Sequence, residues 1–209
     1  MKADRFDSES AQDFEQKHLC ILVLDISSSI KGEELEELNN GLRSFFNQIQ
    51  NCEGVPEYCN KQLEVAIIQY GEKLHILRNP WLIGDNDVPP TLKQQSGATE
   101  TVLAIEEAIK LAEDREAFYR SIGQRFFRSR IVLITDGKPH GNKTSQADID
   151  EISSKVAIDI RMRKYKMLGL GIGTNANTEL IKKITKGRAL KIEELRLILG
   201  WLVEQYWED

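Results

Sequence analysis

Hydrophobic positions along the chain fall into short apolar runs separated by stretches with helical spacing. The run Cys20-Ile21-Leu22-Val23-Leu24 has no polar interruption, as a central strand covered on both faces requires. Ile131-Val132-Leu133-Ile134 repeats that signal, Leu63–Tyr70 and Met167–Ile172 give two more strands, and Ala189–Ile192 a last short one. Between them, Leu35, Leu38, Leu42, Phe45, Phe46 and Ile49 follow the acidic start Lys31-Gly32-Glu33-Glu34. Val102, Ile105, Ile109 and Ala112 repeat the pattern, as do Ile149, Ile152, Val156 and Ile160 within Ala147–Lys164. Each set predicts a helix with one buried face. Acids in the first turn suit the positive end of the helix dipole. Thr178–Thr185 predicts a short helix and Glu193–Tyr206 an amphipathic closing one.

Gly71-Glu72 marks a tight turn into a short antiparallel edge strand at Leu74–Leu77. Residues 79–97 hold three of the five prolines and read as an irregular connection, and 114–129 either extend the preceding helix or link onward. Strands alternating with helices of this length imply an α/β fold: a doubly wound, mostly parallel sheet with helices on both faces. Residues 1–17, polar with five acids, read as a loose leader, and 18–209 as one domain.

Composition narrows the function classes. Hydrophobic residues make up 41% and charged residues 29%, ordinary for a globular protein. The net charge of -5 offers no general attraction to nucleic acid or an anionic membrane. The basic clusters 125–130, 161–166 and 182–188 sit on helices or their ends, where charged solvent faces are routine. No apolar segment reaches the about 20 residues that span a bilayer, and the leader lacks a secretory signal's apolar region. A cytoplasmic location follows as the expectation. Three cysteines make no disulfide framework. Cys20 reads as a core residue, and Cys52 and Cys59 as bystanders flanking a loop.

The chemistry lies where the strands end. Asp25-Ile26-Ser27-Ser28-Ser29 delivers one carboxylate and two hydroxyls, at spacing D-x-S-x-S, just past the first strand, and Thr135-Asp136-Gly137 places a second carboxylate past another. Open α/β sheets place their ligands at that edge. Hard oxygen donors suit a hard divalent cation, Mg²⁺ above all, with Mn²⁺ or Ca²⁺ as alternatives. Taken alone, each motif also reads as a helix cap or a turn. A serine hydrolase would show G-x-S-x-G with a usable histidine, and neither that elbow nor a P-loop is present. His140 lies near the proposed rim in a weak context. Gly169-Leu170-Gly171-Ile172-Gly173 misses the dinucleotide pattern and reads as a strand exit.

Strand, D-x-S-x-S, helix, a distant Gly97-Ala98-Thr99 and a strand ending Thr135-Asp136-Gly137 follow one another in the order of the von Willebrand factor A family. The chain resembles that family over roughly residues 18–206, and so a Rossmann-like fold is expected. The resemblance implies a metal-ion-dependent adhesion site formed by Asp25, Ser27, Ser29, Thr99 and Asp136. Thr101 is a rival for the threonine position, but Thr99 directly follows the Gly-x pair. Ser28 and Ala98 stand where the family usually or often has glycine. The resemblance is nearest to bacterial tellurium-resistance TerY-type proteins, which are stand-alone von Willebrand A domains. It rests on Asn39-Asn40-Gly41-Leu42, the charged segment before Arg130-Ile131-Val132-Leu133-Ile134-Thr135-Asp136-Gly137-Lys138-Pro139, and Leu199-Gly200-Trp201-Leu202.

The resemblance implies a non-catalytic module that presents its cation to a Glu or Asp of a protein partner. A kinase or phosphatase of the same gene set is the implied candidate, with no role for nucleic acid or membrane. The competing class is a hydrolase or phosphatase using the same metal as a Lewis acid.

Overall fold

A computed structural model describes residues 16–53, 59–187 and 189–191. The leader up to residue 15 and the anticipated helix Glu193–Tyr206, with Trp201, Tyr206 and Trp207, lie outside the described residues.

The chain runs β1 (His18–Asp25), α1 (Gly32–Gln50), α2 (Cys59–Gln62), β2 (Leu63–Tyr70), β3 (Leu74–Leu82) and α3 (Thr101–Ser121). It continues through β4 (Ser129–Thr135), α4 (Gln146–Arg161), β5 (Tyr165–Gly171), α5 (Thr178–Thr185) and β6 (Ala189–Lys191). These strands form one sheet in the order β3-β2-β1-β4-β5-β6. All neighbours pair parallel except β2 and β3. The chain therefore winds outward from β1 to β3, then crosses back to start again at β4 beside β1. The gap between the carboxyl ends of β1 and β4 is the topological switch point, where such sheets open a ligand crevice.

Strand alternation divides the core in two. Cys20, Leu22, Leu24 and Ile26 face α1, where Leu38, Leu42, Phe45, Phe46 and Ile49 cover them. Leu19, Ile21 and Val23 face the opposite way, toward Val102, Ile105 and Ile109 of α3 and Ile149, Ile152 and Val156 of α4. Both strand faces are thus dry, which explains why β1 and β4 contain no exposed residue. Period 2 alternation also places Asp25 and Thr135 on the α3 side, the same side as Tyr70 of β2.

The structure departs from sequence expectation at several edges. The edge strand β3 runs nine residues rather than four, because Pro80 lies on an outer strand whose missing N–H breaks no central ladder. Trp81, read from the sequence as core or rim packing, is 48% exposed on this edge strand. The helix α3 extends through Ser121, and a four-residue helix, α2, precedes β2. The helix α4 stops at Arg161 because Arg163 turns left-handed at φ 58°, and β5 then begins at Tyr165. All three cysteines are thiols, and burial, before any charge nearby, pushes the Cys20 thiol up to about 12. Among the described residues no helix is long and apolar enough to cross a membrane.

Candidate metal centre

The carboxylate of Asp25 is fully buried at the end of β1, and both of its oxygens are engaged by protein groups. Ser27 donates its backbone N–H to Oδ1 at 3.0 Å, and Thr135 donates its hydroxyl to Oδ2 at 2.7 Å. The first bond bends the chain out of the strand as an Asx turn does. The second ties the end of β1 to the end of β4. Burial raises the Asp25 carboxyl above its ordinary range. The bonds from Ser27 and Thr135 offset part of that rise, and the Asp136 carboxylate adds to it.

That turn presents the two serine hydroxyls together. Ser27 is buried and Ser29 exposed, yet their Oγ atoms lie 3.0 Å apart. Adjacent oxygens around an octahedral Mg²⁺ at about 2.1 Å lie about 3.0 Å apart, so this spacing fits two neighbouring ligand positions. Ser28, where the resemblance leads one to expect glycine, has no positive φ, and neither does Ala98. Both replacements leave the loop unstrained.

Asp136 supplies the second carboxylate, 4% exposed. Its Oδ1 accepts the Lys138 N–H at 3.0 Å. Its Oδ2 is buried without a hydrogen-bond partner among the described residues; the Lys138 ammonium stands 3.5 Å away on a half-exposed side chain. A buried charged oxygen with so little compensation is costly unless a cation joins it. Gly137 is required beside it. Its φ is +71°, and a Cβ there would fall 2.7 Å from the carbonyl oxygen of Asn177, the residue capping α5.

Thr99 reaches the edge from a different direction. Its backbone pairs with His140 in an isolated antiparallel bridge, and the following N–H, of Glu100, donates to Gly71 O at 3.3 Å. Gly71 in turn lies against Ser27. The preceding segment is fastened to the first loop, Gln95 N–H to Ile26 O at 2.8 Å and the Gln94 amide to Ser28 O at 3.1 Å. His140 contributes main chain to this arrangement while its side chain is exposed. The rival Thr101 begins α3, and its hydroxyl is buried on the side of Tyr70.

Asp25, Ser27, Ser29 and Asp136 therefore share one edge of the sheet, and Thr99 is held there by its backbone. Sequence reasoning missed Thr135 and Tyr70. Burial, then the Asp25 carboxylate, holds the Tyr70 phenol well above its usual range. Thr135 was findable: a hydroxyl at the end of β4 stands on the same face as Asp25 by simple alternation. Among the described residues, no group of three or more His, Cys, Asp or Glu gathers as a metal site. The donors at this edge are two carboxylates and several hydroxyls, which is a hard-cation set.

A profile of the von Willebrand factor type A domain matches residues 20–195. The chain belongs to that family. No curated protein matches it in sequence. Among solved structures, this von Willebrand A (vWA) domain is similar to proximal thread matrix protein 1 from the mussel byssus, at 15% identity and a TM-score of 0.57, over 90% of this chain and 48% of that one. It is also similar to the ArnB paralog VWA2 from Sulfolobus acidocaldarius, at 18% and 0.55, over 95% of this chain and 46% of that one. The vWF domain of the type V pili tip protein Mfa5 from Porphyromonas gingivalis gives 10% and 0.57, over 91% and 95%. The chain spans about half the length of the first two. Identities this low establish a shared fold and no more. The mussel protein has also been solved with zinc occupying its MIDAS motif. vWA domains are metal-binding protein-interaction modules, and this one carries hydroxyls and carboxylates where β1 and β4 end.

Proposed function

We propose that this vWA domain binds a protein partner through a divalent cation, Mg²⁺ with Mn²⁺ or Ca²⁺ as substitutes. Ser27, Ser29 and Thr99 would hold the ion through neutral hydroxyls. Asp136 would hold it directly or through water, and Asp25 would orient the serine loop from beneath. The ion would supply a Lewis-acidic centre that a Glu or Asp of the partner completes. One observation carries this reading: the Ser27 and Ser29 hydroxyls stand at octahedral spacing on the same edge as a buried Asp136 oxygen that lacks a hydrogen-bond partner among the described residues. Hydroxyl ligands add no charge, and with Asp25 beneath the serine loop rather than on the ion, the bound cation would keep enough positive charge to attract another carboxylate.

The reading is of a non-catalytic domain spanning residues 18–209. Resemblance to TerY-type proteins supports a cytoplasmic setting and a kinase or phosphatase of a stress-related gene set as partner. Titration calorimetry with Mg²⁺ and Mn²⁺ tests the ion site: wild type binds, and Ser27→Ala/Ser29→Ala does not. Affinity capture with both proteins, each with Mg²⁺ or chelator, tests the partner, which is retained only by wild type with metal. Metal-dependent turnover of a phosphate ester that disappears in the double variant would favour an enzyme instead.

A further inference from the structure

The residue after Thr99 is an acid buried to 6% exposure, an unusual place for a carboxylate unless it is bonded. Glu100 Oε1 accepts both the backbone N–H of Asn142 at 3.1 Å and its side-chain amide at 2.8 Å. Asn142 belongs to the loop that leaves Asp136. Gly141 leaves room for this contact, since a Cβ there would sit 2.6 Å from Glu100 Oε1 and 3.1 Å from the Ala98 Cβ. The Thr99–His140 bridge lies immediately beside it. Glu100 also stands at the N-cap of α3, where the helix dipole favours a negative charge. Its Oε2 is buried without a hydrogen-bond partner among the described residues. The acid is therefore held in place by the joint between two loops.

We propose that Glu100 is a latch: it locks the loop carrying Thr99 to the loop leaving Asp136, so that the Thr99 hydroxyl is positioned before any cation arrives. This rests on the metal reading above and adds that the site is preorganised for a small ion. Mg²⁺ demands a near-ideal octahedron at about 2.0–2.1 Å, whereas Ca²⁺ accepts six to eight oxygens at about 2.3–2.6 Å in flexible geometry. A fixed Thr99 thus favours Mg²⁺. Opening the latch weakens Mg²⁺ more than Ca²⁺. Loss of the Glu100 charge alone weakens both ions alike, so the ratio of the two affinities isolates positioning from electrostatics.

The experiment titrates Mg²⁺ and Ca²⁺ separately into wild type, Glu100→Ala, Gly141→Ala and Glu100→Gln, with circular dichroism and thermal melting to confirm folding. Gly141→Ala attacks the same contact from the opposite side and leaves the Glu100 charge in place. Glu100→Ala and Gly141→Ala are expected to shift the Mg²⁺-to-Ca²⁺ affinity ratio toward Ca²⁺ by about tenfold. Glu100→Gln, which keeps an acceptor for Asn142, stays within about threefold of wild type. A ratio unchanged within twofold in Gly141→Ala while the protein remains folded overturns the latch. Wild type that binds neither ion overturns the metal reading itself, which is a separate result.

Discussion

The two ends of the sheet bury charge in opposite ways. At the amino edge, near the start of β2, Glu64 is 4% exposed and is met by donors of two side chains. Arg115 donates through Nε and Nη2 at 2.8 Å each, and Tyr119 donates its hydroxyl at 2.7 Å. The guanidinium also lies over the Tyr119 ring, 4.9 Å from its centroid. About 20 Å away along the strands, at the carboxyl edge, Asp136 and Glu100 are equally buried, and each keeps one oxygen without a hydrogen-bond partner among the described residues. A closed pair of opposite charges is a structural joint. On the reading proposed above, the Asp136 carboxylate left short of donors is where a cation from outside the chain would bind.

The largest expected effect tests the closed end. Arg115→Ala strands the Glu64 carboxylate in the core and should cost about 3–5 kcal/mol in urea or thermal unfolding. Replacing both partners together, Glu64→Leu with Arg115→Met, should recover most of that loss, since an apolar pair of similar volume needs no compensation. A double variant as unstable as the single one would mean that packing, and not charge pairing, governs this end.

The open end should respond to an added ion. Mg²⁺ at a hundredfold excess over its dissociation constant should raise the unfolding free energy by about 2.7 kcal/mol. Chelator should remove the gain, and Ser27→Ala/Ser29→Ala should melt at the same temperature with or without Mg²⁺. If wild type shows no metal-dependent shift, the contrast between the two ends collapses.

How far the sequence discloses this contrast differs by element. The uninterrupted Cys20–Leu24 and Ile131–Ile134 runs reveal buried parallel strands because both faces are dry, and period 3.6 reveals α1 through Leu38, Leu42 and Phe45. Asp25, Ser27 and Ser29 are legible because five consecutive residues contain the whole turn. Glu100 is not, since its partner Asn142 lies 42 positions away and an acid at a helix start reads as an ordinary dipole partner. Arg115 and Glu64, 51 positions apart, are hidden for the same reason. The full extent of β3 is masked by Pro80, which is a strand breaker everywhere except at an edge.

Asp136→Asn should change stability in the opposite sense from Arg115→Ala. The amide keeps the size of the side chain and an acceptor for the Lys138 N–H, while a buried charge compensated only by the half-exposed Lys138 ammonium disappears. In chelator the variant should be as stable as wild type or up to about 1 kcal/mol more stable, yet bind Mg²⁺ far more weakly. Equal destabilisation at both ends would show that Asp136 is a structural acid like Glu64.

The smallest effect belongs to a second closed joint at the amino edge. Asp159, near the end of α4, is bonded by Lys155 and Lys164 at 2.8 Å each and accepts the Tyr165 hydroxyl at 3.2 Å. Burial alone would raise its carboxyl, but the two lysines outweigh burial and hold it below the ordinary carboxylate range. A depressed carboxylate stabilises the fold wherever it is ionised in both states, so its contribution is complete above the unfolded value of about 3.9. It is lost as pH falls from there through the lower folded value. Asp159→Asn should therefore melt below wild type at pH 7, with the difference shrinking toward pH 2. Because both lysines are partly exposed, the difference at neutral pH should be modest and should narrow in high salt. A gap that persists unchanged at low pH would assign the stabilisation to the Tyr165 bond and remove Asp159 from the set of charge-closed joints.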